Sequence, residues 1–545
     1  MKTLKTLFSF ADAIARNCLT LLKSGSRYAH RVLSKTHIRQ RVFFSPTGRK
    51  NAKRCGASAR LLIITFLVAT MFSSCVTKPK AQFKIPDSLN NVYFKDHLDI
   101  SIGYWNIHDM VNAVKKDAIL ADIEEFFNIT IQPLSVSWEN YKERYQILSS
   151  TNSLPDIFAN VTISSNNIND SARLQALIES GDIRAVPQDL SRFPRLQQQF
   201  EALSFLRSTD GKFYVIPRTS FLEPVLSFSD VGMVVRKDWM ETLDMDEPES
   251  LEEFIDLVSA FANSDPDGNG KHDTIGYNVN NRVALGKWLI LGIAPECNIY
   301  SWIKTEDGYI PSYLTDDFKS VVLAFRKLYE TGGLDPDFYT KKATDAVDDF
   351  AHGKLGALEY KVSPSAIMEL ESVWRLYQDK PFEECVGLLE IFPAPDGKRY
   401  RNTSNLFWSE TLISSNVNDV KMDRILYLFD FLLSDEGWEL TRYGKEGVDY
   451  SLSGGEYQSL IDIPMGNLTK TLEDKYPSLM LFSSLASWGG TRNDFDPNQI
   501  NYLRFGKFAT EISYQSLQWN EKNTIPVERP FDFFFAPKEA TEYFN

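Results

Sequence analysis

Cysteine and histidine are scarce in this chain, with five Cys and six His among 545 residues. The cysteines (Cys18, Cys55, Cys75, Cys297 and Cys385) form no CxxC pair. The four histidines beyond residue 75 (His97, His108, His272 and His352) are scattered. A zinc site or a Cys/His nucleophile pair therefore has little to stand on. Cys297 and Cys385 either pair in an oxidising compartment or stay as two separate buried thiols. Basic charge is also short in the body of the chain. Residues 1–74 hold 14 of the 59 Lys/Arg and one of the 72 Asp/Glu, leaving 45 basic and 71 acidic residues, a net of −26. So acidic a body repels phosphate backbones and argues against nucleic-acid binding. No internal repeat or low-complexity block is present.

Aromatic residues are abundant, with 37 Phe and 23 Tyr in a chain that is 43% hydrophobic. This composition predicts a folded protein with more than one core, and it hints at aromatic surfaces for a ligand. The N-terminal region reads as an export signal. Arg49, Lys50, Lys53, Arg54 and Arg60 precede the apolar segment Leu61–Phe72, which is shorter than the roughly 20 residues a membrane span needs. Ser73-Ser74-Cys75 follows and resembles a bacterial lipobox, in which the cysteine is diacylated and becomes the mature N-terminus. Phe72 stands where Leu is usual. An ordinary signal peptide and a short anchor helix are the alternatives. Residues 1–74 are read as the export region, with a start that is long for a signal peptide, and 75–96 as a polar tether off the membrane.

The mature chain alternates strands and helices. "HLDISIGYW" (97–105) and "ITIQPLSV" (129–136) read as strands around a helix, "DAILADIEEFFNI", whose apolar residues fall at helical spacing. "DIFANVTIS" (156–164) continues the alternation, which predicts an α/β domain with a largely parallel sheet. "SLEEFIDLVSAFANS" predicts a helix opened by a Ser250/Glu253 capping box, with Leu251, Phe254, Ile255, Val258 and Phe261 on its apolar face. "DVKMDRILYLFDFLLSDEGWELTRYG" predicts one long helix ending at Gly444.

"DPDGNGKHDTIGY" (265–277) concentrates three aspartates in nine residues. Asp265, Asp267 and Asn269 take positions 1, 3 and 5 of a calcium loop. Lys271 falls at the backbone-carbonyl position and Asp273 at position 9, while position 12, normally a bidentate Glu, is Gly276. The alternative is a metal-free turn built on Asx side chains.

These landmarks, in order, resemble the extracellular solute-binding proteins of ABC sugar importers (family 1, the oligosaccharide-binding lipoprotein branch). The phrases are "LPDIFAN" (154–160), "DGKFYVIPR" (210–218), "VVRKDWMETLDMDEPESLEEFIDLVSAF" (234–261) and the acidic loop. "GGLDPDFYT" (332–340), "GKLGALEY" (353–360), "PAPDGKRY" (393–400) and "LLSDEGWELTRYGKEGVDYSL" (432–452) complete the string. The resemblance implies a two-lobed, periplasmic-binding-protein-like (type II) α/β fold with ligand between the lobes. Lobe 1 would comprise 97–225 and 392–442, and lobe 2 would comprise 226–391 and 443–545, with crossings near 224–231, 388–396 and 442–448.

The same resemblance implies ligand contacts from Trp105 and Asn106, Asn160 and Thr162, Arg218, Tyr360 and Lys361, Phe407 and Trp408, and Tyr450. Rings for sugar CH faces and amide or charged groups for hydroxyls make a suitable mixture. Core packing is the rival for each ring; Trp239 and Trp438 read as core, while Trp288, Trp488 and Trp519 stay open. Calcium in the loop would be a structural Ca²⁺ clip, as in calcium-binding members of the branch. The implied function is capture of an oligosaccharide by a monomeric, lipid-anchored, extracytoplasmic receptor that delivers it to ABC permease subunits. An enzyme (glycosidase or lyase) would need two cleft carboxylates at fixed separation. A receptor for peptides, or a sensory one, is the third reading.

Overall fold

The computed structural model describes residues 84–527, apart from 113, 163–167, 222, 280–285, 298–301, 307, 404–405, 455 and 464–466. All of these lie in one compact unit, Pro79–Asn545. Cys75 lies outside the described residues.

Two mixed sheets organise this unit. The first has six strands, in the order Ser487–Gly490, Val215–Phe221, Phe407–Ile413, Ile157–Asn160, Leu98–Trp105 and Ile129–Val136. The second has four: Val386–Leu389, Gly232–Arg236, Leu355–Tyr360 and Ile275–Val279. Leu98–Trp105 runs parallel to both of its neighbours. Phe407–Ile413, which returns from the second sheet, enters antiparallel to Ile157–Asn160 and Val215–Phe221. The expected largely parallel sheet is therefore mixed, because a strand arriving from the other lobe comes in from the opposite end. Pro133 sits in the outermost strand, where its missing N–H breaks no ladder.

Local chemistry fixes the elements. Asp117 caps helix Ala118–Phe127 by accepting from the Ile119 and Leu120 N–H groups, and Asn128 closes it in a left-handed conformation (φ 49°). Ser250 caps helix Leu251–Asn263, and Phe254, Ile255, Leu257, Val258 and Phe261 are buried along it. At roughly 1.5–3 kcal/mol per fully buried side chain, that face alone contributes on the order of 10 kcal/mol before ordering costs. The long helix expected over 419–443 is two helices, Asp419–Leu432 and Asp435–Tyr443. Ser434 Oγ accepts from Gly437 N–H and starts the second. A Cβ on Gly437 would stand 2.1 Å from the Phe431 carbonyl oxygen, so the sharp turn between them requires glycine there.

The first two crossings fall between Phe221 and Gly232 and between Leu389 and Phe407. The third does not lie at 442–448. Helices Leu468–Lys475 and Ser478–Leu485 bury Leu468, Leu472, Leu481 and Phe482 in the first sheet's core, and Ser487–Gly490 then pairs with Val215–Phe221. The chain passes to the second sheet only after residue 490, where Phe495 and helix Lys507–Asn523 join that sheet's core. Apolar periodicity marks such helices as buried without saying against which sheet. Cys297 and Cys385 are both free thiols, buried in separate cores.

Candidate functional site

Four tryptophans converge at the first sheet's cleft-facing end. Trp105 ends strand Leu98–Trp105, Trp138 follows strand Ile129–Val136, Trp408 lies in Phe407–Ile413 and Trp488 in Ser487–Gly490. Trp138 and Trp408 stack at 5.5 Å and 29°. Trp488 meets Trp408 edge-on at 4.9 Å, and Trp105 lies 5.3 Å from Trp138 and 5.8 Å from Trp408. Trp138, Trp408 and Trp488 remain 49%, 37% and 40% exposed, whereas Trp105 is buried behind them. Each centroid spacing is that of attractive aromatic pairs, so the ring platform is held before any ligand arrives.

Arg218 fixes the platform from below. Its side chain is fully buried, with the guanidinium carbon 4.3 Å from the Trp488 ring centroid and 5.4 Å from that of Trp105. Nε donates to the Ser484 carbonyl (2.8 Å), Nη1 to Ser409 Oγ (2.7 Å) and Nη2 to Tyr104 Oη. Burial pulls its pKa down to about 10, with Tyr104 and Glu410 opposing the shift. The charge therefore persists at neutral pH. Ser409 adopts φ 65° at a register shift in its strand, and its hydroxyl also accepts from Trp488 Nε1–H (3.2 Å). The bulge thus locks Arg218 and Trp488 to one atom.

Thr162 and Asn160 are buried beside this nest. Thr162 donates both its N–H (2.9 Å) and its hydroxyl (3.1 Å) to Glu410 Oε2, and Asn160 Oδ1 accepts from Val161 N–H. Asn106 is exposed, in a left-handed conformation, at the start of helix Ile107–Met110.

Across the cleft stands the second lobe. A cavity of about 700 Å³ is lined from the first lobe by Trp408, Trp488, Arg442 and Ser483, and from the second by Lys361, Ser363, Ser365 and Glu369. Lys361 is exposed and forms an ion pair with Asp230 at 3.7 Å. Tyr360 is partly buried, its pKa pushed up to about 12 by burial, and it packs on the second lobe's core instead of lining the cavity. A smaller cavity of about 390 Å³ lies along strand Val386–Leu389 and helix Lys507–Asn523, with no ring from the tryptophan platform.

Among the expected contacts, the structure gathers Trp105, Arg218 and Trp408 in one nest, with Lys361 across the cleft. Phe407 and Tyr450 belong elsewhere. Phe407 is 1% exposed in the first core, since successive strand residues face opposite ways and only Trp408 turns outward. Tyr450 is 2% exposed and stacks on Tyr457 at 5.2 Å, outside the cavity lining. Trp239 and Trp288 are core residues, and Trp519 lines the smaller cavity. Sequence reasoning passed over Trp138 and left Trp488 undecided. The signal that could have found Trp138 is its place two residues beyond the carboxyl end of a strand paired with the one that Trp105 ends.

The acidic loop joins helix Leu251–Asn263 to strand Ile275–Val279, turning at Gly268 and Gly270 with positive φ. Asp265 Oδ2 accepts from Gly270 N–H (2.9 Å), and the Asn269 amide donates to Asp267 (2.7 Å) and Asp273 (3.0 Å). Burial and the neighbouring Asp265 and Asp273 push the Asp267 carboxyl up. The donors are hard oxygens converging on Asn269, which suits a cation such as Ca²⁺. Among the described residues no three His, Cys, Asp or Glu side chains stand close enough to hold a metal as they are. Position 12 has no room for a carboxylate, because a Cβ on Gly276 would lie 2.0 Å from the Val258 carbonyl oxygen.

No protein-family model matches the chain. It is 26% identical over 355 residues to Lipoprotein LipO of Bacillus subtilis (strain 168), covering 63% of this chain and 66% of that one. It is 24% identical over 341 residues to the polygalacturonan/rhamnogalacturonan-binding protein YtcQ of the same organism, covering 62% and 64%. The matched region spans just under two-thirds of each relative. The Streptococcus pneumoniae ABC-transporter substrate-binding protein FusA, solved in complex with kestose, superimposes with a TM-score of 0.58 at 16% identity. That match covers 82% of this chain and 88% of FusA, and an EF-hand mutant of FusA in complex with fructo-nystose matches equally well. These solved structures share the fold, two α/β lobes flanking a cleft.

Proposed function

We propose that this chain, a relative of the sugar-binding substrate-binding proteins of ABC transporters, is an extracytoplasmic receptor that captures an oligosaccharide between its lobes and presents it to permease subunits. The observation that carries the reading is the half-exposed Trp138–Trp408–Trp488 platform opening on a cavity whose far wall comes from the other lobe. Rings offer stacking faces to sugar CH groups, and a ligand touching both walls stabilises closure over the open form. Reversible capture needs no reacting group, and the relatives are binding proteins, not enzymes. Cys75 is the lipid attachment point, and the chain acts as a monomer tethered to the membrane. Among the described residues no helix is long and apolar enough to cross one.

Ca²⁺ held by Asp265, Asp267, Asn269, Asp273 and the Lys271 carbonyl would fasten the helix–strand turn of the second lobe. The EF-hand mutant made in FusA supports this assignment. The loop is remote from the tryptophan platform in sequence and belongs to one lobe, so its role is structural.

A glycan panel screened by thermal shift, followed by small-angle scattering with and without the best ligand, tests the capture reading. A saccharide should raise the melting temperature and make the molecule more compact. Stabilisation only by peptides, or turnover of the bound glycan, would refute it.

A further inference from the structure

The three half-exposed rings of the platform are not held alike. Trp488 is locked, since its indole N–H donates to Ser409 Oγ (3.2 Å) and the Arg218 guanidinium lies 4.3 Å from its ring centroid. Trp408 is fixed by its strand, between Phe407 and Ser409, which are both buried. Trp138 sits on a turn two residues past strand Ile129–Val136, where Ser137 N–H donates to Asn140 Oδ1 (3.2 Å) and Asn140 N–H to the Ser137 carbonyl (3.3 Å). Among the described residues no hydrogen bond reaches its indole N–H. At 49% it is the most exposed of the four tryptophans, so contact with other rings is what holds it.

Those contacts occupy surface that a sugar would use. Trp138 stacks on Tyr141 at 5.3 Å and on Trp408 at 5.5 Å, each at 29°. A stacked pair sets ring face against ring face, so one face of Trp408 is taken. Trp408 also has Trp488 edge-on at 4.9 Å and Trp105 at 5.8 Å. The cavity wall includes Trp408 and Trp488 but not Trp138. A saccharide in that cavity therefore meets Trp408 already crowded by three rings, and stacking on it requires one of them to leave. Trp105 is packed in the first core, and Trp488 would forfeit its hydrogen bond and the Arg218 contact. Trp138 forfeits only ring contacts and is half in water already.

We infer that Trp138 is the exchangeable ring of the site: it covers Trp408 in the empty receptor and gives up that place to a sugar ring on capture. The inference rests on the oligosaccharide reading and deepens it, by naming a residue that sets the affinity. The covering ring keeps an apolar face out of water while no ligand is bound. It also lowers the affinity, because each capture trades the Trp138–Trp408 stack for the sugar stack, and only a fraction of the empty molecules is open to binding. A receptor that must hand on its cargo gains from this, since the returning ring retakes the vacated face.

Calorimetry with a panel of neutral and uronate-bearing oligosaccharides identifies the tightest member, and its affinities for the parent and for Trp138→Ala test the exchange. The variant should bind it about threefold or more tightly, whereas loss of a ring the sugar stacks on, or damage to the fold, weakens binding. A second readout keeps the parent sequence, labelled with fluorotryptophan, and uses Trp138→Phe only to assign the Trp138 fluorine resonance. Saturation with the same oligosaccharide should raise the solvent isotope shift of that resonance between light and heavy water, as the indole leaves the stack for solvent. A Trp138→Ala variant that binds as the parent does or more weakly, or a Trp138 isotope shift that does not rise, overturns the exchange while leaving oligosaccharide capture intact. Failure of every glycan to bind overturns both.

Discussion

Trp408 and Phe407 are sequence neighbours with opposite assignments, and that contrast makes the sharpest test of the site. A tryptophan side chain buries roughly 150–250 Å² when fully enclosed. Trp408 stays 37% exposed, so roughly 100–150 Å² of it is in contact, chiefly with Trp138, Trp488 and Trp105. At about 25 cal/mol per Å², and allowing for an unfolded chain that already buries some of this surface, Trp408→Ala should cost about 2 kcal/mol of stability. It also removes the ring a sugar would stack on, worth on the order of 1 kcal/mol or more, so the Kd for the cognate saccharide should rise about tenfold. Phe407→Leu should show the reverse. Its ring is 1% exposed, so stability should fall by roughly 1 kcal/mol while the Kd stays unchanged. Calorimetric titration and thermal melts on both variants supply the readouts, and tryptophan emission should respond to ligand in Phe407→Leu as in the parent. A folded Trp408→Ala that binds like the parent would refute the platform; so would a folded Phe407→Leu that has lost binding.

Three further outcomes follow from the structure. Chelation should lower the melting temperature if calcium holds the acidic loop, by an amount equivalent to about 2.7 kcal/mol when free Ca²⁺ had been 100 times its Kd; Asp265→Ala with Asp267→Ala should abolish the response, and a chelator-insensitive, metal-free protein would dismiss the clip. Glu359 is buried with its pKa pushed from 4.5 up to about 7, even though Lys287 and Trp288 N–H groups donate to its carboxylate. The folded state therefore holds the proton more tightly than the unfolded chain, so this contribution is present below about pH 4.5 and lost as pH rises through about 7; Glu359→Gln should flatten that slope in urea melts between pH 5 and 8, and an unchanged slope would discard the assignment. Cys75→Ser should leave an unprocessed precursor that takes up no labelled fatty acid, whereas labelling equal to the parent would rule out acylation at this residue.

Local sequence by itself determined the elements whose signals are chemical and short-range. The Ser250 cap, the apolar face of Leu251–Asn263 and the helical spacing of Ile119, Leu120, Ile123 and Phe127 were all readable, because each depends on residues within a few helical turns. Trp105, Arg218, Trp408 and Lys361 were named from the chain only through the family resemblance, which implied them as ligand contacts together with residues, such as Phe407 and Tyr450, that lie elsewhere. The sequence also showed the five oxygen donors of the acidic loop, but not that the Val258 carbonyl closes off position 12. What tertiary structure alone decided is which face and which sheet each segment joins. Phe407 and Trp408 are both aromatic, and the strand's register against Thr219 and Pro217, with its bulge at Ser409, sends one into the core and the other into the cleft. Strand Ser487–Gly490 returned to the first sheet because helices Leu468–Lys475 and Ser478–Leu485 bury their apolar faces there. That return joins Ser487 to Thr219 and Ser484 to Arg218, across separations of 268 and 266 residues, and so brings Trp488 onto the platform. Burial of apolar surface drives such contacts, and it is non-directional, so the pattern along the chain says that a face will be covered without saying by what.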